Sequence, residues 1–377
     1  MSNRFREATW RAVAFGRGLA YDGESDRRAI LWEKAAMSEI RSRRIVLAAR
    51  PEGAPKPSDF RLEEETLGAP GPGELLCRTH YFSLDPYMRG RMNATHGYTQ
   101  PLALGETMIG AAVCEVLRAN APGFAAGDIV RTYSGWRDYA LVPADGVERI
   151  DPSLAPVTTA LGVLGMPGLT AYAGLLTVGK PRPGDTVVVA AASGPVGATV
   201  GQIARLMGCR AVGIAGTAAK CAHVTDDLGF DACVNHRDPG FAEALAAACP
   251  DGIDVYFENV GGAVLRAVIP LLNPFARVPV CGQIAHYNAS APPPGPDHLP
   301  MLMIAALTKR LTLRGFIVTD FADQEPEFLA RVSRWIGEGK IVYREDMVDG
   351  IENAIDAFIG LLGGGNFGKL LVRLDKD

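Results

Sequence analysis

The chain has 377 residues, of which 48% are hydrophobic and 21% charged, proportions ordinary for a globular protein of about two domains. With 38 Lys and Arg against 42 Asp and Glu the net charge is −4, which leaves no basic face for a nucleic-acid partner. No apolar run reaches the roughly 20 residues a membrane span requires, so no membrane partner is expected.

In chain order, residues 1–36 end in ESDRRAILWEKAA, which mixes Arg with acids and holds no signal-peptide core. They read as a poorly ordered extension ahead of Met37. Residues 37–160 are β-rich: RRIVLAAR, GELLCRTHYF, MIGAAVCEVL, DIVRTY and DYALVP alternate with turns such as APGPGE and APGFAAGD. From about Leu161 strands and helices alternate. VVVAAAS, AVGIAG, ACVNH, VYFENV, RVPVCG and LTLRGFIV are strand runs, with ATVGQIARLMG and FAEALAAAC as helices between them. That rhythm predicts a parallel sheet covered by helices on both faces. LPMLMIAALTKR reads as a further helix, either bordering a substrate cleft or in an ordinary helix–sheet core. The tail, with the helical IENAIDAFIGLL and the strand GKLLVRL, is expected to return to the first domain. The expected division is therefore 37–163 with 345–377, and 164–344. The seven cysteines are scattered, with none at C-x-x-C spacing, which suits a reducing cytoplasm.

A strand ending in AASGPVG and followed by a helix is a phosphate-binding turn. Gly194 and Gly197 let the main chain approach a pyrophosphate, and Pro195 fits the first helical turn. Val196, Val200, Ile203 and Leu206 recur at helical spacing, and Gly201 is expected to allow close helix–strand contact. Dinucleotide folds that take NAD place an acid about 20 residues beyond the glycines, for the ribose 2′-hydroxyl. Here Gly216 and Thr217 stand in that region and Lys220 follows, either as a contact for a 2′-phosphate or as a solvated surface lysine. A carboxylate would repel a 2′-phosphate and an ammonium attract it, so NADPH/NADP+ is the expected cofactor.

GMPGLTAY (165–172), AASGPVGATVGQIA (191–204), FENVGG (257–262) and CGQIAHYN (281–288) together resemble the medium-chain dehydrogenase/reductase superfamily. SLDPYMRGRM (83–92) and GGGNFGKLLVRL (363–374) narrow the resemblance to its zinc-free branch of prostaglandin, leukotriene, 2-alkenal and curcumin reductases. The likeness runs from about Met37 to the C-terminus. It implies an α/β protein in which a Rossmann doubly wound parallel sheet stands beside a GroES-like β-barrel-type domain, usually as a homodimer, for which LTLRGFIV is a candidate edge. It also implies cofactor contacts at Thr170, Gly194, Pro195, Val196, Gly197, Lys220, Asn259, Cys281, Tyr287, Phe316, Val318 and Asn366. The family's tyrosine for the 2′-phosphate is replaced here by His236, with Arg237 next to it. His236 is either a second contact for that phosphate or a surface-turn histidine.

No metal is expected. The β-rich part holds only His80 and His96, and Cys77 with His80 lacks a third ligand, whereas a catalytic zinc needs three. Reduction of an activated C=C bond needs none. The expected substrate is a small α,β-unsaturated carbonyl, with hydride delivered to its β-carbon and the enolate then protonated. Tyr287 is the first candidate to donate a hydrogen bond to the developing oxyanion and Tyr87 the second. Packing roles remain open for both. A quinone oxidoreductase, or a non-catalytic NADP-binding sensor, are the competing functions.

Overall fold

The computed structural model describes residues 39–374 except 95, 96, 98 and 292–294. The expectation for residues 1–36, His96 and part of the proline loop therefore lie outside the described residues.

β1 (Ile40–Leu47) and β2 (Phe60–Leu67) form an antiparallel pair in register Arg43↔Glu64 and Arg44↔Glu63. The β2 sequence FRLEEETL carries three consecutive acids and gives no apolar alternation. It is a strand because basic partners such as Arg44, 3.2 Å from Glu63, stand across the ladder. β3 (Glu74–Ser83), β4 (Ala112–Ala119), β5 (Ile129–Thr132), β6 (Tyr139–Pro143) and β7 (Glu148–Arg149) follow. β3 pairs with β4 and also with β6, so the sheet branches at that strand.

The next six strands are β8 (Thr186–Ala190), β9 (Arg210–Ala215), β10 (Ala232–Asn235), β11 (Ile253–Phe257), β12 (Leu272–Val280) and β13 (Thr312–Gly315). All pair in parallel, in the order β10-β9-β8-β11-β12-β13. That is the Rossmann order, with its reversal between β8 and β11. β8 reads TVVVA because a central parallel strand is buried on both faces. Val187 and Val189 pack into one apolar layer and Val188 and Ala190 into the other. β14 (Glu345–Asp349) and β15 (Lys369–Arg373) then join the first sheet through β3, giving β14-β15-β3-β4-β5-β7. The α/β class holds: a doubly wound parallel sheet and a separate mixed sheet.

The helices are α1 (Met88–Arg91), α2 (Met166–Ala173), α3 (Pro195–Leu206), α4 (Ala218–Ala222), α5 (Phe241–Ala248), α6 (Gly262–Val268), α7 (Leu299–Lys309), α8 (Glu325–Gly337) and α9 (Ala354–Leu362). α9 buries Ala354, Phe358 and Leu361, spaced at helical intervals, and closes the aromatic core of the mixed sheet. There Phe358 meets Trp136 edge-on at 5.4 Å, and Trp136 stacks on Phe60 and Phe82. In α3, Val200 and Ile203 are buried as their spacing predicts. The space left by Gly201 is filled differently from expectation. A β-carbon there would lie 1.8 Å from the Phe230 ring, so this glycine admits an aromatic side chain rather than a strand. The close approach to main chain belongs to Gly197, whose β-carbon would stand 2.4 Å from the Ala191 carbonyl in the turn after β8.

Candidate active site

The site grows from the glycine turn at the end of β8. Ala191 has φ +54°, a left-handed conformation that ordinarily falls to glycine, one residue before Ala192, which stands where the usual fingerprint has its first glycine. Gly194 then caps α3 in extended backbone, and Pro195 starts it. A β-carbon on Gly194 would have no neighbour closer than 3.4 Å, so space remains in front of the helix N-terminus. The N–H groups of a first helical turn lack helical partners and favour an anion there.

At the end of β9, Thr217 caps α4 by accepting the Lys220 N–H at 3.1 Å, which explains the Gly-Thr-Ala-Ala-Lys sequence. The Lys220 side chain is buried, and its Nζ donates to the Gly364 carbonyl at 2.7 Å. His236 and Arg237 lie over Gly216, with ring and guanidinium atoms 3.2 and 3.4 Å from where its β-carbon would be. Burial, then Arg237, lowers the pKa of both Lys220 and His236, and Lys220 pushes His236 down further. Three cationic or protonatable groups thus crowd one spot and repel each other, an arrangement that an anion such as a 2′-phosphate would relieve.

At the ends of β11 and β12 a second group forms. Asn259 donates to the Ala190 carbonyl at 2.8 Å, tying β11 to the glycine turn across the reversal of strand order. Glu258, buried, accepts from the N–H groups of Val260 and Gly261 and fixes the loop that carries Asn259. Cys281 is half-buried, and burial pushes its thiol up to about 12, so it is a neutral group here. The Tyr287 hydroxyl folds back over Gly282, accepting from the Gln283 N–H at 3.5 Å. Burial raises its pKa, which keeps the phenol protonated and able to donate.

Asn366 donates to the Gly368 carbonyl at 2.8 Å, and the Gly368 N–H donates to the Ser193 carbonyl in the glycine turn at 3.0 Å. Tyr87 is half-buried at the start of α1, packed partly against the mixed-sheet core. Val318 is half-buried against the parallel-sheet core. Two further expected contacts have partners within the protein. The Thr170 hydroxyl is spent on the Met166 carbonyl at 2.7 Å. The Phe316 ring packs inward, edge-on to Phe257 and Phe321, in space that Gly174 leaves open.

Within SLDPYMRGRM, sequence pattern singled out only the tyrosine. Its Asp85 forms a buried ion pair with Lys369 at 2.7 Å, and its Arg89 is buried beside the Tyr287 loop. Charged residues inside an otherwise apolar motif were the available signal. Among the described residues no three His, Cys, Asp or Glu side chains are grouped to hold a metal ion. Cys77 lies buried beside Cys114, its thiol pushed up to about 12, and His80 stands 3.6 Å from Glu115.

Two family descriptions match the chain: an N-terminal domain of oxidoreductase over residues 43–150 and a zinc-binding dehydrogenase over 195–334. The NADPH-dependent curcumin reductase of Escherichia coli K12 is 54% identical over 338 residues, spanning 89% of this chain and 98% of that protein. The NADP(+)-dependent 2-alkenal reductase of Nicotiana tabacum is 38% identical, spanning 90% and 99%. The crystal structure of CurA from Vibrio vulnificus in complex with NADPH superposes with a TM-score of 0.85 at 50% identity, covering 89% of this chain and all of that one.

Proposed function

The chain belongs to the medium-chain dehydrogenase/reductase family, in its zinc-free reductase branch, and from that premise we propose that it reduces the C=C bond of α,β-unsaturated ketones and aldehydes with NADPH. One observation carries the reading: a protonated phenol, Tyr287, stands at the ends of β11 and β12 in the same fold that gathers Lys220, His236 and Arg237 at the ends of β9 and β10.

The residues fit the cofactor. Gly194 to Gly197 would hold the pyrophosphate, and Lys220, with His236 and Arg237, the 2′-phosphate. Asn259, Cys281 and Asn366 would border the nicotinamide end. When bound, NADPH would supply the hydride that the substrate β-carbon accepts. Tyr287 donates a hydrogen bond to the carbonyl oxygen, where negative charge gathers, and Tyr87 helps hold that oxygen. Protonation at the α-carbon completes the reduction. One preorganised donor of this kind is worth about 10²–10³ in rate.

The boundaries 37–163 with 345–377, and 164–344, remain our proposal for the two domains. A homodimer through β13 and α7 is supported by their exposed apolar side chains, and a cytoplasmic location by seven unpaired thiols. The test of function follows NADPH consumption with medium-chain enones, alkenals and quinones in parallel. Enone-dependent consumption that falls about 100-fold in Tyr287→Phe, with NADPH affinity little changed, is the expected result. Turnover of quinones alone would overturn the reading, as would unchanged enone turnover in the variant for Tyr287.

A further inference from the structure

Arg89 lies in α1, two residues beyond Tyr87, and is only 2% exposed. A buried guanidinium normally faces a carboxylate, because an uncompensated charge in the interior costs several kcal/mol. Arg89 hydrogen-bonds to neutral acceptors instead. Its Nε donates to Asn288 Oδ1 at 3.1 Å, its Nη1 to Asn93 Oδ1 at 2.6 Å and its Nη2 to the Gly53 carbonyl at 2.8 Å. Burial lowers its pKa accordingly, and the Asp59 carboxylate acts in the other direction.

The three acceptors lie on different parts of the chain. Asn93 belongs to the turn that ends α1, and Gly53 to the loop between β1 and β2. Asn288 belongs to the loop after β12, on the parallel-sheet side, and immediately follows Tyr287. Gly53 adds to the junction: its φ is +79°, and a β-carbon there would lie 3.9 Å from the Asn288 carbonyl. The planar fork of an arginine reaches three acceptors at fixed angles, which the single ammonium of a lysine cannot do.

We propose that Arg89 is a positioning residue: its bond to Asn288 locks the Tyr287 loop against the Tyr87 helix, so that the two phenols keep one separation across the cleft. The proposal rests on the reading of Tyr287 as the hydrogen-bond donor to the substrate oxygen. It explains why a costly buried cation is kept although its hydrogen bonds go to neutral acceptors. Arg89 is assigned no contact with the reacting atoms or the cofactor; it acts through Asn288 and through its own helix.

The experiment uses the full chain with NADPH and a medium-chain enone and compares Asn288→Ala, Arg89→Lys and the double variant. Misplacing a donor by about 1 Å costs up to about 100-fold in rate. Asn288→Ala and Arg89→Lys should therefore each lower kcat by about 10- to 100-fold while the NADPH dissociation constant stays within about twofold. The double variant should be no worse than either single, since the two residues act as one unit. Backbone amides of residues 284–289 should exchange faster with solvent in both single variants. Asn288→Ala changes a half-buried side chain on a loop, so it reports even if Arg89→Lys fails to fold. Wild-type kcat in Asn288→Ala, or full rescue by lysine at position 89, overturns the proposal while leaving the enone reductase reading intact. A wild-type chain inert toward every enone sinks that reading, and the proposal with it.

Discussion

His236 shows how a single substitution in a familiar motif can be read from its neighbours. Its imidazole is held below its ordinary pKa by burial, by Arg237 and by Lys220, so at neutral pH it is uncharged in the protein without nucleotide. A bound phosphate would oppose those influences and raise the pKa, so binding would take up a proton. NADPH should therefore bind more tightly as the pH falls from 8 toward 6, by at most about tenfold per pH unit, the limit for one proton. NADH should show no such slope. The phosphate's own protonation near pH 6 works in the opposite direction, so the comparison that matters is wild type against His236→Phe. Titrations of nucleotide affinity that give the same slope for both chains would return His236 to the role of a turn histidine.

Among the elements, α7 departs most from expectation. It is the predicted helix, but of its apolar residues only Ala305 is buried. Leu299, Met303, Ile304 and Leu307 are exposed, Leu307 at 78%, and the adjoining edge strand β13 is exposed throughout. The helix packs on β12, held by Lys309 donating to the Pro270 and Leu272 carbonyls. It therefore leaves most of its apolar face outside the helix–sheet core. An apolar stripe beside an unpaired strand edge suits a second copy of the chain. Sedimentation of the wild type should give a dimer, and Leu307→Arg a folded monomer with its melting temperature nearly unchanged. A monomeric wild type would remove the homodimer.

For the molecule as a whole, a main-chain hydrogen bond and an ion pair join the two sheets, and a buried charge pair of the mixed sheet stands next to the first of them. Gly368 bonds to the glycine turn, and the next residue, Lys369, donates to Asp85 at 2.7 Å and to the Leu84 carbonyl at 2.8 Å. Asp85 also accepts from Ser83 and stands two residues before Tyr87. A second link is Arg131 of β5, which reaches Glu325 of α8 at 2.7 Å. Side-chain exposures of 3% and 7% make the Lys369–Asp85 pair one whose partner cannot be removed cheaply. Lys369→Met should destabilise the protein by about 3–5 kcal/mol, because it leaves the Asp85 carboxylate buried without a cation. Adding Asp85→Asn should recover most of that loss. Denaturation midpoints of the two variants decide the matter: equal midpoints would mean that the carboxylate finds another partner.

The strand–helix rhythm and the glycine turn were legible in the sequence because period and backbone permissiveness are local properties. For the same reason VVVAAAS, AVGIAG and ATVGQIARLMG mark elements that the fold contains, and the missing acid near Gly216 marked the cofactor. Pairings between distant segments were not legible. β2 is held as a strand by Arg44 on another strand, which meets both Glu63 and Glu65, and the neighbour of Gly201 is a phenylalanine from a later loop. Arg89 meets Asn288 across 199 positions, and Lys369 meets Asp85 across 284. A buried charge is recognised only by its surroundings. Residue type could nominate Tyr287 and Lys220, but only the folding of one sheet against the other decides what holds them in place.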